Sequence, residues 1–125
     1  MTRSLPADVL DVLDTVLRRD NPVHRALRRQ VPHLKICNRC ACGCGTAFFE
    51  LDTTAVERVA SAGSRTVVAA DAQLYTDEGE CVGEVLVFTH DGYLSWLEVC
   101  SLSDEVEVTL SAARRWLQSN MDADN

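Results

Sequence analysis

Cys37-Asn38-Arg39-Cys40-Ala41-Cys42-Gly43-Cys44-Gly45 holds four of the six cysteines of the 125-residue chain. Thiolates bind soft and borderline metals, zinc above all. A zinc site made from Cys37, Cys40, Cys42 and Cys44 would need all four ligands from one tightly coiled segment. Structural zinc sites ordinarily divide their ligands into two pairs separated by a loop. Here no second Cys-x-x-Cys follows, and Cys81 and Cys100 stand alone. The competing role is that of small apolar groups in a close-packed turn, which free cysteines often fill. Packing is the expected role, and a small zinc-binding protein is the alternative. A thiol-dependent enzyme or redox sensor is a third reading. It requires a neighbour that stabilises thiolate, and Arg39 beside Cys40 is the local candidate.

Other reactive side chains are dispersed. His24, His33 and His90 have no nucleophile motif nearby, and the chain contains no Gly-x-Ser-x-Gly, phosphate loop or His-Glu-x-x-His. Glu84 and Glu98 fall on neighbouring expected strands, where paired carboxylates could do acid–base work. Solvated strand glutamates are the simpler account. The expectation is therefore no catalytic residue, no resident cofactor and no enzymatic activity.

The elements that hold these groups are legible as periodicity. Ser4 is placed to cap a helix in which Val9, Leu10, Leu13, Val16 and Leu17 form one apolar stripe. Asp20-Asn21-Pro22 breaks it, and a second helix follows from Pro22 to about Gln30, ended by Pro32. Arg25, Arg28 and Arg29 are expected on the solvated side of that second helix. His33 to Arg39 and Thr46 to Leu51 read as strands on either side of the cysteine cluster. Thr54 and Glu57 have capping-box spacing for a short helix over 55–62, with a structured loop as the other option.

Further strands are expected at Arg65 to Tyr75, Cys81 to Thr89 and Tyr93 to Leu102. Asp91-Gly92 forms a tight hairpin turn between the last two, which pairs Leu86 with Leu97 and Val87 with Trp96. Val106, Val108 and Leu110 alternate as an edge strand, and Ser111 caps a short final helix carrying Trp116 and Leu117. The fold class expected is α+β. A two-helix N-terminal arm (1–32) packs on a mostly antiparallel five- to six-stranded meander sheet (33–118, with the short C-terminal helix), and 119–125 form a frayed tail.

Composition agrees with one domain: 46% of residues are hydrophobic and 25% charged. No apolar run reaches the roughly 18 residues of a membrane span. Asp8, Asp11 and Asp14 interrupt the apolar pattern of the N-terminus, which reads as a helix and not as a signal peptide. A cytoplasmic location follows as the expectation, with reduced thiols. Charge divides unevenly. Residues 1–39 carry eight Arg or Lys against four Asp, whereas residues 40–125 carry four against fifteen acids. The acidic body argues against nucleic acid as a partner, and no membrane partner is indicated.

Arg39-Cys40-Ala41-Cys42-Gly43-Cys44, taken with Asp91-Gly92-Tyr93-Leu94-Ser95-Trp96-Leu97-Glu98-Val99-Cys100-Ser101, resembles a family of small uncharacterised bacterial proteins of actinobacterial type. The resemblance runs from the helical arm to the last strand and implies a fold unit in a bacterial cytosol, with no activity attached. Cys37 and Cys81 lie outside its pattern, and Cys100 follows the second stretch's defining positions, which end at Val99. The functional expectation is a non-catalytic module that binds a protein partner through the open sheet face, with Trp96, Tyr93 and the cysteine loop exposed. An immunity-like role fits the acidic build, because acidic inhibitors complement basic targets.

Overall fold

Asn21 draws the first boundary in the chain. Its side-chain Oδ1 accepts the His24 N–H at 2.8 Å, satisfying a donor that the start of a helix leaves unpaired. Pro22 occupies the first turn, where a missing N–H costs nothing. Before it runs α1 (Ala7–Val16) and after it α2 (Pro22–Gln30), with a 3-10 turn at Val31–His33. The structure, a computed structural model, describes residues 3–39, 46–59, 65–102 and 108–123.

Six strands form one sheet: β1 (Arg3–Ser4), β2 (Leu34–Arg39), β3 (Ala47–Leu51), β4 (Thr66–Tyr75), β5 (Cys81–His90) and β6 (Tyr93–Ser101). A third helix, α3 (Leu110–Ala123), closes the chain. Every strand pair is antiparallel, in the order β1-β2-β3-β6-β5-β4. The α+β class and the antiparallel sheet are as expected. The meander holds within β1–β3 and within β4–β6, but β3 lies beside β6 and not beside β4. The connection out of β3 crosses to the far edge, and the hairpin tip holds it on the way. Val59 N–H donates to the Gly92 carbonyl at 2.8 Å, and Arg58 pairs with Asp91 at 3.1 Å.

The arm packs on the sheet through a stripe of Val9, Val12, Leu13, Val16 and Leu17, all buried. Leu10, expected in that stripe, is exposed; Val12 takes its place, one position round the helix from the expected phase. Ser4 does not cap α1. It pairs with Lys35 as a strand residue, and Pro6 precedes the helix without a side-chain cap. Arg28 is not simply solvated either. Its Nη1 donates to the carbonyls of Leu17 at 2.5 Å and Arg19 at 2.8 Å, which satisfies acceptors just beyond the end of α1. Arg25 makes an exposed pair with Asp20, as a solvated residue would.

The last third of the chain departs furthest from expectation. Val108 lies outside any strand and Leu110 opens α3, so both belong to the helix approach and not to an edge strand. Val106 falls outside the described residues. Thr109, not Ser111, caps the helix: its Oγ1 accepts the Ala112 N–H at 3.2 Å. The helix extends to Ala123 through residues expected as a tail. It buries Leu110, Ala113 and Leu117, and Arg114 reaches Asp11 of α1 in an ion pair. Among the described residues the C-terminal helix, expected to be short, thus joins the two arm helices against the buried face of the sheet. Residues 55–59 are loop and not helix, because Asp52 Oδ1 turns the chain locally by accepting the Thr54 N–H at 3.0 Å and its hydroxyl at 2.6 Å.

Candidate functional site

The hairpin register decides which side chains share a face. Asp91 and Gly92 both adopt positive φ, 55° and 82°, as a two-residue hairpin turn requires. Gly92 is needed twice over, since a Cβ there would lie 2.8 Å from the Val59 carbonyl oxygen. His90 pairs with Tyr93 and Thr89 with Leu94. A bulge then shifts the ladder by one residue, so Phe88 faces Trp96 and Val87 faces Leu97. The expected pairs of Leu86 with Leu97 and Val87 with Trp96 assumed an unbroken ladder. With the bulge, Val85, Val87, Leu97 and Val99 all point into the core, while Phe88 and Trp96 point outward together.

Neighbouring strands extend that outward pair into a row. Val68 of β4 lies opposite Phe88, Phe88 opposite Trp96, and Trp96 opposite Phe48 of β3. Strands lie about 4.8 Å apart, so four side chains on four adjacent strands span roughly 14 Å. Phe88 and Trp96 stack with centroids 4.2 Å apart and planes 12° from parallel. Phe48 leans toward Trp96 at 6.4 Å and 33°. Phe48 is 41% exposed and Val68 49%. The helices share one buried cluster with the inward-facing strand residues, and the row lies on the other side of the sheet.

One buried polar group fixes the hairpin against the arm. Gln30, fully buried at the end of α2, donates from Nε2 to the carbonyls of Glu57 and Gly92, both at 3.0 Å. Its Oε1 accepts the Leu94 N–H at 2.9 Å. Leu94 needs that partner because β3 and β6 pair only at Ala47–Leu97 and Phe48–Trp96 before the ladder stops. Beyond that point a shallow cleft opens, lined in part by Phe49, Leu51, Tyr93 and Ser95.

The cysteine cluster does not gather into this site. Cys37 is exposed on β2 at an irregularity in its pairing with β3. Cys40, Cys42 and Cys44 lie outside the described residues. Cys81 and Cys100 are half-buried, and the Cys100 thiol donates to Glu98 Oε2 at 3.4 Å. Among the described residues no three of His, Cys, Asp and Glu converge as a metal site. Glu84 faces Cys100 and Glu98 faces Leu86, so these two carboxylates are diagonal and not opposed. His90 Nδ1 lies 2.8 Å from the Thr66 hydroxyl, and His33 is exposed.

His24 alone of the histidines is buried. Desolvation, with Arg19 and Arg28 adding repulsion, holds its pKa below the usual imidazole value against a hydrogen bond to the Leu17 carbonyl. Among the described residues no helix is long and apolar enough to cross a membrane.

β3 offers an apolar group to each face, since Phe48 is exposed and its neighbour Phe49 packs against the core. What sequence reasoning missed was the alignment of Phe48 with Trp96 and Phe88, which depends on β3 lying beside β6. Comparison of the chain with protein-family models, curated proteins and solved structures finds no match.

Proposed function

We propose that this chain is a non-catalytic interaction module that takes a protein partner on the open face of its sheet, in a bacterial-type cytosol. The observation that carries the reading is the Val68–Phe88–Trp96–Phe48 row, apolar across four strands and uncovered by any described helix. Contiguous exposed apolar surface on a sheet is a common signature of a docking site, and aromatic side chains supply much of the affinity at such sites. Tyr93, half-buried at the hairpin end of β6, borders the same face. An immunity-like function, in which a partner is neutralised by occupation of its surface, is the narrower form of the same proposal.

Placing a photo-crosslinking amino acid at position 48 tests it in cells, with position 25 on the arm as the control. The proposal expects one partner protein to crosslink from position 48 and not from position 25. The purified pair should then bind in vitro. Equal labelling from both positions, or none from position 48, would contradict it.

A further inference from the structure

The aromatic row is bordered by acid. Asp71 faces Leu86 and Leu86 faces Glu98, forming the next outward row, about 7 Å along the strands from Phe88 and Trp96. Beyond it Gln73, Glu84 and Cys100 form another. β4, β5 and β6 contain no lysine or arginine at all. Asp71 is exposed, Glu84 and Glu98 are half-exposed, and none of the three forms an ion pair among the described residues. Four arginines, Arg25, Arg58, Arg114 and Arg115, pair elsewhere, with Asp20, Asp91, Asp11 and Asp77. An apolar row thus lies beside carboxylates that have no ion-pair partner among the described residues.

Resting on the reading of this face as a docking surface, we infer that its occupant is a cationic protein segment. Apolar side chains of that segment cover Trp96 and Phe48, and its arginine or lysine groups meet Asp71, Glu84 and Glu98. A guanidinium suits both halves of the site. It donates two parallel hydrogen bonds to a carboxylate and lies favourably against an indole face. The same charges count against other occupants. A second copy paired through the same face would set these carboxylates against their own equivalents. Nucleic acid and anionic lipid surfaces would be repelled.

Three synthetic amphipathic peptides of equal length test the inference on the purified chain. One carries Arg at its charged positions, the second Glu at the same positions, and the third Arg with its apolar residues changed to Ser. Binding is followed by calorimetry at low and moderate salt, with sedimentation of the chain alone. The Arg peptide should bind and weaken with salt, since exposed charge pairs are screened. Its affinity should fall about tenfold or more in Asp71→Asn/Glu84→Gln/Glu98→Gln, and the Ser peptide should bind more weakly than the Arg peptide. Salt dependence of the unmodified chain is an independent readout should the triple variant fold poorly.

Binding of the Arg peptide that ignores both salt and the triple substitution overturns the inference. So does tighter binding of the Glu peptide; if that binding is lost in Phe48→Thr, the docking face stands and only its charge preference falls. A chain that self-associates, and is returned to monomer by Arg25→Gln/Arg29→Gln, identifies a second copy's arm as the cationic segment and overturns the reading of a separate partner protein.

Discussion

Trp96 lies flat on Phe88, ring centroids 4.2 Å apart, beside the bulge in β6 that turns Trp96 out of the core. Stacked aromatic pairs on a strand face contribute about 0.5–1.5 kcal/mol beyond their burial. A double-mutant cycle of Trp96→Ala and Phe88→Ala should therefore give a coupling energy near 1 kcal/mol in denaturant melts. A coupling near zero would mean that the two rings merely share a face.

Gln30 predicts a larger effect from a single buried amide. Gln30→Leu removes the partner of the Leu94 N–H and of the Glu57 carbonyl, and one of the two donors to the Gly92 carbonyl, while keeping an apolar group of similar size. Each buried group left unsatisfied costs about 1–3 kcal/mol. The variant should lose at least about 2 kcal/mol of stability. Unchanged stability would show that water replaces the amide without penalty.

The sequence pattern made some of this legible and concealed the rest. Asp91-Gly92 announced the hairpin because few residues tolerate positive φ, and strand alternation gave β4, β5 and β6 nearly to the residue. Gln30 was visible in principle, as a polar residue three positions after Leu27 on the buried side of an amphipathic helix. Its partners were not, because they lie 27 to 64 residues away. The bulge after Thr89–Leu94 has no local signature, yet one inserted residue reverses which side chains point outward. The placement of β3 beside β6 is a long-range choice for which short connections give the wrong prior. The aromatic row depends on both, so it could not be assembled from spacing. The cysteine run, most conspicuous in the sequence, contributes only Cys37 to the described structure.

His24 sets the expected response to mild acid. Its pKa is lower in the folded chain than the ordinary 6.5, so the unfolded chain binds the proton more readily. The stabilising effect of keeping this imidazole neutral is present above pH 6.5 and is lost as pH falls through the folded value. In the carboxylate range Asp14, raised by desolvation and by Asp11, acts with the opposite sign, whereas Asp52, lowered by its Thr54 hydrogen bonds, acts with the same sign as His24. Thermal melts between about pH 7.5 and 5.5 should thus show stability declining with acid, and His24→Gln should flatten that decline. An equal slope in the variant would assign the effect to another group.

For the cysteines, a packing role predicts that a strong chelator leaves the melting curve unchanged and that elemental analysis finds no stoichiometric zinc. Ser at Cys40, Cys42 or Cys44 should then cost more stability than Ala, since Ser leaves a hydroxyl in an apolar setting. At a zinc site, Ser and Ala would be equally harmful, because each removes a ligand and metal binding there is folding energy. One zinc per chain, lost together with the fold, would establish the zinc-binding reading instead.

The most direct test of the docking face is the affinity of Phe48→Thr for the partner crosslinked from position 48, measured by calorimetry beside a melt of the same protein. Threonine keeps strand propensity while removing the exposed ring. The account predicts that affinity falls at least about tenfold, as at an interface anchor, with stability changed by less than about 0.5–1 kcal/mol. Affinity equal to that of the unmodified chain would contradict it.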